Sequence, residues 1–172
     1  GPRGVGKRTF ARLLAKSLLC RDYDPQTLTP CEVCEDCVQV AASTHPDLIK
    51  VRKPDDRATL PTELLIGRRE TRMREGLCHD ISLRPYAGRR KIAILDDADA
   101  LNKEGANCLL KTLEEPPPAS ILILIGTNLQ GQLPTIRSRC QTILFQPLEE
   151  AHLLELILRE QIVQDEGQAQ AL

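Results

Sequence analysis

The amino-acid sequence predicts an α/β fold, doubly wound about a parallel sheet, and three of its features carry that reading. KIAIL (91–95), ILILI (121–125) and TILF (142–145) are nearly continuous apolar runs, which suit strands covered on both faces. Between the first two, Ala106, Leu109, Leu110 and Leu113 recur at helical spacing until Pro116-Pro117-Pro118 ends the helix. A glycine-rich loop at residues 1–7 leads into another helix, over 8–20, with Phe10, Leu13, Leu14 and Leu18 at helical spacing. Strands that alternate with helices lie side by side in a parallel sheet.

The intervening elements follow from the same periodicities. Residues 21–37 carry Cys, Pro and Asp with little periodicity and predict a loop or metal knuckle, continued by a short helix over 38–43 that His45-Pro46-Asp47 breaks. LIKVR (48–52) is a short strand, 54–61 a loop, and the stretch near 62–82 an arginine-rich helix. The chain has 172 residues and a formal charge of -1, enough for one well-cored domain. With no Trp, two Phe and two Tyr, the core is aliphatic, and the scarcity of aromatic rings argues against stacking platforms for single-stranded nucleic acid. No apolar run approaches the roughly 18 to 20 residues that span a bilayer, and no leader precedes the first motif, so the chain reads as cytoplasmic. It opens without an initiator Met and stops in the polar tail EGQAQAL, which reads as a fragment.

Gly1-Pro-Arg-Gly4-Val5-Gly6-Lys7 fits seven positions of the phosphate-loop pattern G-x-x-x-x-G-K-[S/T]. Glycines let backbone N–H groups curl around phosphate oxygens, and the lysine reaches the outer phosphates. The eighth position departs from the pattern, because Arg8 stands where a hydroxyl normally ligates Mg²⁺. Thr9 does not substitute, since one residue along a helix turns a side chain by about 100°. Either the loop still binds nucleotide, or it is a relic retained for helix packing.

Asp96 and Asp97 sit at the carboxyl end of the 91–95 run, where open α/β sheets place their ligand crevice. One acid there holds Mg²⁺ in phosphate-loop enzymes. Alternatively, Asp97 and Asp99 cap the following helix. Thr127 ends its strand and either senses a γ-phosphate or terminates the run. Arg139, in the helix-forming segment QLPTIRSRCQ, either donates a planar fork to a neighbouring subunit's γ-phosphate or forms an ordinary surface contact.

Cys20, Cys31, Cys34 and Cys37 form C-x10-C-x2-C-x2-C. Four soft ligands at this spacing close a tetrahedral zinc site with no open position, so the site is structural. Cys78 and Cys108 fall within helical patterns and read as core residues.

GPRGVGK, the four-cysteine knuckle, THPDL, LDDADALN, CLLKTLEEPP and LPTIRSRCQ, in that order, resemble the bacterial clamp-loader subunits of DNA polymerase III, of the AAA+ family. The motifs cover most of the chain, and the knuckle, KTLEEPP and SRC together are the most specific. The resemblance implies a RecA-like P-loop NTPase fold with a three-layer parallel sheet and a small zinc-knuckle insertion. It implies a truncated nucleotide-binding domain over 1–148 and an incomplete helical lid over 149–172. Arg139 would be an arginine finger acting in trans, Thr127 a sensor, Asp96 the metal acid, and Asp97 a water-positioning acid one methylene short of the family's Glu. Phosphate-loop contacts would come from Gly1, Gly4, Val5, Gly6, Lys7, Arg8 and Thr9, with ATP and Mg²⁺ as possible ligands.

Within the family, gamma/tau subunits hydrolyse ATP and delta-prime is the stator-like subunit whose own site is often degenerate. Arg8 and Asp97 favour delta-prime, assembling with gamma/tau and delta to load the sliding clamp on primed DNA. The family's strand order, 5-1-4-3-2, places strand 1 between the runs 121–125 and 142–145. Its absence predicts a gap, a collapsed sheet or a poorly stable product. Two rivals remain: a gamma/tau-type ATPase, and a zinc-dependent nucleic-acid module using Arg68, Arg69, Arg72, Arg74, Arg84, Arg89 and Arg90. Those arginines are interspersed with acids and the net charge is near zero, which favours a solvated helical face.

Overall fold

Three strands, β1 (Leu48–Val51), β2 (Lys91–Leu95) and β3 (Ser120–Leu124), form a parallel sheet in the order β1-β2-β3. The structure, a computed structural model, describes residues 1–87 and 89–159. β2 is central and all five of its residues are buried. KIAIL therefore shows no polar alternation, because neither of its faces meets water. The register sets Ile92 between Leu48 and Ile121, and Leu95 between Val51 and Leu124.

Side chains alternate across the sheet and fill two cores. Ile92 and Ile94 pack with Leu48, Ile121 and Ile123 against α1 (Lys7–Leu19) and α2 (Glu35–Ala42), meeting Ala11, Ala15, Leu19 and Val40. Ala93 and Leu95 pack on the other face with Leu65, Leu77, Ile81 and Leu109. Leu109 belongs to α5 (Lys103–Glu114), whose start is fixed by Asn102: its side-chain oxygen accepts the Gly105 N–H at 2.7 Å. Helices thus cover both faces, giving the three layers that the sequence predicts.

The arginine-rich stretch 62–82 is not one helix. It forms α3 (Glu63–Ile66), a 3-10 turn at Arg69–Thr71 and α4 (Leu77–Ser82). Gly67 and Gly76, at φ +81° and +90°, reverse the chain, and a Cβ on Gly76 would lie 2.7 Å from the Gly67 nitrogen and 2.8 Å from the Leu65 carbonyl carbon. The chain folds back here because two glycines let backbone touch backbone while Leu65 and Leu77 enter the core.

TILF is not a strand either. Residues 141–149 form no regular element, and the edge of β3 away from β2 has no ladder partner among the described residues. Ile143 and Leu144 are exposed, and the Phe145 ring meets Phe10 edge to face with centroids 5.4 Å apart. A cleft of about 450 Å³, bounded in part by Phe10, Leu122, Ile123 and Leu144, separates β3 from this segment. The two runs remain apart, as the resemblance implies, and an apolar run with no neighbour at ladder distance cannot satisfy its backbone as a strand.

Two helices close the described chain, α6 (Pro134–Arg137) and α7 (Glu150–Arg159). The expected lid segment 149–172 therefore begins as a helix, and its remainder lies outside the described residues. Among the described residues no helix is long and apolar enough to cross a membrane.

Gly76→Ala is expected to lower the unfolding free energy by about 2 kcal/mol or more, combining left-handed strain with backbone collision. Gly131→Ala, whose added Cβ would meet nothing closer than 3.6 Å, should change it by about 0.5 kcal/mol at most. Urea titration of both variants decides the comparison.

Candidate functional site

The carboxyl ends of β1, β2 and β3 and the start of α1 enclose a polar cleft of about 550 Å³. One wall is the phosphate loop. Gly4 and Gly6 take φ of +83° and +86° with no atom within 4 Å of an added Cβ. Crowding is thus not what demands glycine; the left-handed backbone is. Gly6 caps α1 without a side-chain acceptor, and the first helical hydrogen bond runs from Phe10 N–H to the Gly6 carbonyl at 2.8 Å. The first-turn N–H groups are thereby left to other acceptors, as a phosphate cradle requires. Lys7 folds back over the loop, its ammonium donating to the Gly1 carbonyl at 2.7 Å and to the Pro2 carbonyl.

The acids at the end of β2 form the opposite wall. Asp96 is nearly buried, and its Oδ1 accepts the Asp97 N–H at 2.9 Å. Its Oδ2 is ion-paired with the Arg8 guanidinium. Asp97 adopts a left-handed backbone at φ 54°, and its Oδ2 lies 3.7 Å from Arg52 Nε and 3.9 Å from Arg8 Nη2. Neither Asp97 nor Asp99 caps α5, since Asn102 does so, and Asp97 makes no side-chain cap on the 3-10 turn that follows it. Arg52, absent from the sequence-based set, was marked only by its place just past β1, on the same crevice rim as Asp96.

Asp99 is the second residue that sequence reading missed as a site group. Its Oδ2 accepts the Thr127 hydroxyl and the Thr127 N–H, the latter at 3.2 Å. Burial pushes its carboxyl up, but hydrogen bonds from the Thr127 hydroxyl and from the backbone of this region outweigh it and hold the group below its ordinary 3.8. Thr127 is thus fixed at the cleft by Asp99 rather than merely ending its strand.

These residues do not fit a divalent cation in the ordinary phosphate-loop position. The hydroxyl ligand is missing at residue 8, and a guanidinium occupies the acid that would complete the pair. They do fit an anion, with Lys7, the glycine turns and the α1 amino end on one side.

The four cysteines converge at a separate place, with Sγ atoms all within 4.8 Å of one another. Cys20 and Cys31 sulfurs are 3.5 Å apart, and Cys20 and Cys34 sulfurs 3.8 Å. These are far beyond a disulfide bond of about 2.05 Å and close to the roughly 3.8 Å edge of a tetrahedron with about 2.3 Å zinc–sulfur bonds. Backbone N–H groups of Cys31, Cys34 and Cys37 point at the sulfurs of Cys20, Cys31 and Cys34 at 3.3 to 3.4 Å. The N–H groups of Cys34 and Val33 pull Cys31 down to about 7, whereas burial pushes Cys20 and Cys37 up. Cys20, Cys31, Cys34 and Cys37 would hold a zinc ion as a cross-link between the end of α1 and the start of α2, with no reaction at the metal. Cys78 is buried in the second core and packs beside Cys108, as a core residue should.

Arg139 follows α6. Its Nη2 is 2.6 Å from Glu114 Oε1, and its Nη1 donates to the Thr135 carbonyl at 2.8 Å and to the Ser138 hydroxyl at 3.2 Å. Within the single chain the guanidinium therefore rests on the end of α5. Glu114, its partner, sits in the KTLEEPP motif and gave no sign of this pairing.

A sequence model of the family described as "DNA polymerase III, delta subunit" matches residues 1–149. The DNA polymerase III subunit delta' of Bacillus subtilis is 33% identical over 94% of this chain and 45% of its own length. The subunit delta' of Pseudomonas aeruginosa is 39% identical over 81% of this chain and 39% of its own, and the subunit tau of Escherichia coli 36% over 98% and 25%. The chain thus spans less than half the length of each, and identity alone does not separate delta' from tau. A DNA polymerase III gamma subunit-related protein of Thermotoga maritima shares the fold, with a TM-score of 0.52 at 19% identity over 89% of this chain and 49% of that one.

Two outcomes follow from this geometry. The purified chain is expected to carry one zinc ion by atomic absorption, and Cys34→Ser to lose it together with several degrees of Tm; a zinc-free wild type of equal Tm would contradict the cross-link. The Asp99 carboxyl, lowered in the fold, contributes stability that is complete above its ordinary pKa and is lost as pH falls through the lower folded value. The stability difference between wild type and Asp99→Asn should therefore be constant from pH 7 to 5 and shrink below about pH 4, as denaturant melts across pH would reveal.

Proposed function

We propose, given that the chain belongs to the DNA polymerase III delta-subunit family, that it is a clamp-loader subunit of delta-prime type that lends a catalytic arginine to a neighbour and runs no ATPase cycle of its own. The observation that carries this reading is the ion pair between Arg8 and Asp96. Phosphoryl transfer in phosphate-loop enzymes depends on a divalent ion held at that place to neutralise developing charge. A guanidinium there cannot polarise two phosphates as the ion does, and Asp97, short of the usual Glu and drawn toward Arg52, is poorly aimed for water. A displacement on the order of 1 Å at such a residue can cost about 100-fold in rate.

Arg139 supports the second half of the reading. It follows the short α6 with a planar, permanently charged fork, and its side chain retains one third of its exposure. In an assembly it would exchange Glu114 for the γ-phosphate of a nucleotide in the adjacent subunit, where an arginine stabilises transition-state charge. The partners are gamma/tau and delta subunits, with the sliding clamp and primed DNA engaged through the assembly. Residues 1–148 form the nucleotide-binding module and 149–172 begin the helical lid. The setting is cytoplasmic. Zinc in the four-cysteine knuckle is structural.

A gamma/tau-type ATPase is the second reading, favoured by the likeness to tau. The nucleic-acid module has less support, because Arg68, Arg69, Arg72 and Arg74 lie on a broken segment, and Arg72 is 3.5 Å from Glu104.

In the reconstituted assembly, Arg139→Ala is expected to lower clamp- and DNA-stimulated ATP hydrolysis by at least about tenfold, a lower bound set well under the roughly 10³–10⁵ that an arginine finger is worth at the site it serves. Lys7→Ala should leave that rate within about twofold. An unchanged rate in the first variant removes the trans role, and abolished turnover in the second establishes the gamma/tau reading instead.

A further inference from the structure

The cleft that lacks a metal position is nevertheless built for negative charge, and its cations are disposed unlike those of a metal-using site. It is lined by five cationic side chains, Arg3, Lys7, Arg8, Arg52 and Lys53, against four carboxylates. All four carboxylates are already engaged: Asp96 by Arg8 and the Asp97 N–H, Asp97 by Arg52, and Asp99 by Thr127. The fourth, Asp55, lies 3.0 Å from Arg52 Nη2. A divalent cation entering here would have to displace a guanidinium from Asp96 and then sit beside two others of like charge. An incoming phosphate chain meets no such obstacle.

We propose that Arg8 takes the place of the divalent cation, so that the cleft binds a di- or triphosphate chain free of metal, and added Mg²⁺ weakens that binding. The inference builds on the phosphate-loop reading of residues 1–8 and not on the role of Arg139. Arg8 holds Asp96 through Nε, and its side chain is 56% exposed. Arg8 lines the cleft, and its terminal nitrogens come no nearer to Asp97 than 3.9 Å. A planar fork of this kind matches two oxygens of one phosphate, which a hydrated ammonium does less well. Among the described residues Lys7 is held only by the loop carbonyls of Gly1 and Pro2, neutral acceptors that a phosphate oxygen outcompetes.

Metal in solution then acts against binding on two counts. It reduces the charge of the free polyphosphate, and it carries into the cleft a cation that Arg8 and Arg52 repel. In ordinary phosphate-loop proteins both contributions run the other way, because a hydroxyl and an acid await the ion.

The test is calorimetric titration of the full chain with ATP, ADP and inorganic pyrophosphate, each in EDTA and in excess Mg²⁺. Wild type is expected to bind ATP and ADP in EDTA, with affinity lowered at least threefold by Mg²⁺; comparable binding of pyrophosphate would assign recognition to the phosphate chain alone, whereas weaker binding would assign part of it to the nucleoside, and both outcomes leave the metal-free mode standing. Arg8→Ser, which restores the hydroxyl, should lose at least tenfold in EDTA and recover with Mg²⁺, inverting the metal response. Arg8→Lys keeps the charge and loses the fork, and should fall between the two without inversion. No binding in EDTA, or wild-type binding that requires Mg²⁺, overturns the proposal, and the wild-type comparison does so whether or not any variant folds. A failed Arg139→Ala experiment would leave this result untouched, and the reverse also holds.

Discussion

The ion pair between Arg8 and Asp96 joins the two halves of the cleft, and most of the site's chemistry follows from it. Arg8 stands in the first turn of α1, directly after the phosphate loop, and Asp96 ends the central strand. The pair is asymmetric. Arg8 is more than half exposed while the Asp96 side chain retains 12%, so the arginine gives up little hydration and the carboxylate gives up most of its own. Removing the arginine would leave a largely desolvated charge without its partner, which costs far more than the pair itself contributes. Asp97, one residue on, is pulled into the same field by Arg52. Acids that elsewhere serve a metal are here bound into the protein's own charge balance.

A second polar assembly organises the opposite end of α1. Asp36 lies buried between two knuckle cysteines and accepts the Arg21 Nε–H at 2.8 Å, with His45 Nε2 at 3.3 Å. His45 Nδ1 accepts the Asp47 N–H at 3.0 Å, and the Asp47 carboxylate accepts the N–H groups of Tyr86 and Ala87 at 2.7 and 2.9 Å. The THPDL motif thus ties the knuckle to the start of β1 and to the turn before β2. Such a chain of buried groups is stable only when every member is satisfied, and among the described residues no buried side-chain nitrogen or oxygen lacks a partner. The knuckle therefore positions helices on one face of the sheet while the reactive groups gather at its carboxyl edge.

Legibility in the sequence tracked how local each cause was. KIAIL and ILILI announced buried strands because both faces are covered, and each run proved a strand to within one residue. The four cysteines announced their cluster because their spacing alone brings the sulfurs together. TILF carried the same apolar signal and failed, since ladder formation depends on a neighbour that no run of one segment can reveal. The arginine-rich stretch departs from a single helix for a local reason, the positive φ of Gly67 and Gly76, which helical periodicity does not register. At the site, the phosphate loop and Asp96 were marked by pattern. Arg52, Asp99 and Glu114 were not, because their roles come from elements that meet only in space.

The Glu114–Arg139 contact holds a guanidinium in position at the domain surface without spending it on the fold. Both side chains are partly exposed, at 49% and 33%, and pairs of this kind contribute about 0–1 kcal/mol. The Thr135 carbonyl, one turn back on α6, adds a hydrogen bond that points the guanidinium along the helix end. Orientation is thereby fixed by local contacts while the cost of release remains small. A triphosphate presented by another subunit carries several charges and offers the bidentate geometry that one carboxylate oxygen does not. On the proposed trans role, exchange of Glu114 for phosphate would be favourable only when a neighbour presents a charged nucleotide, so that the arginine's availability would depend on assembly and not on any rearrangement of its own domain.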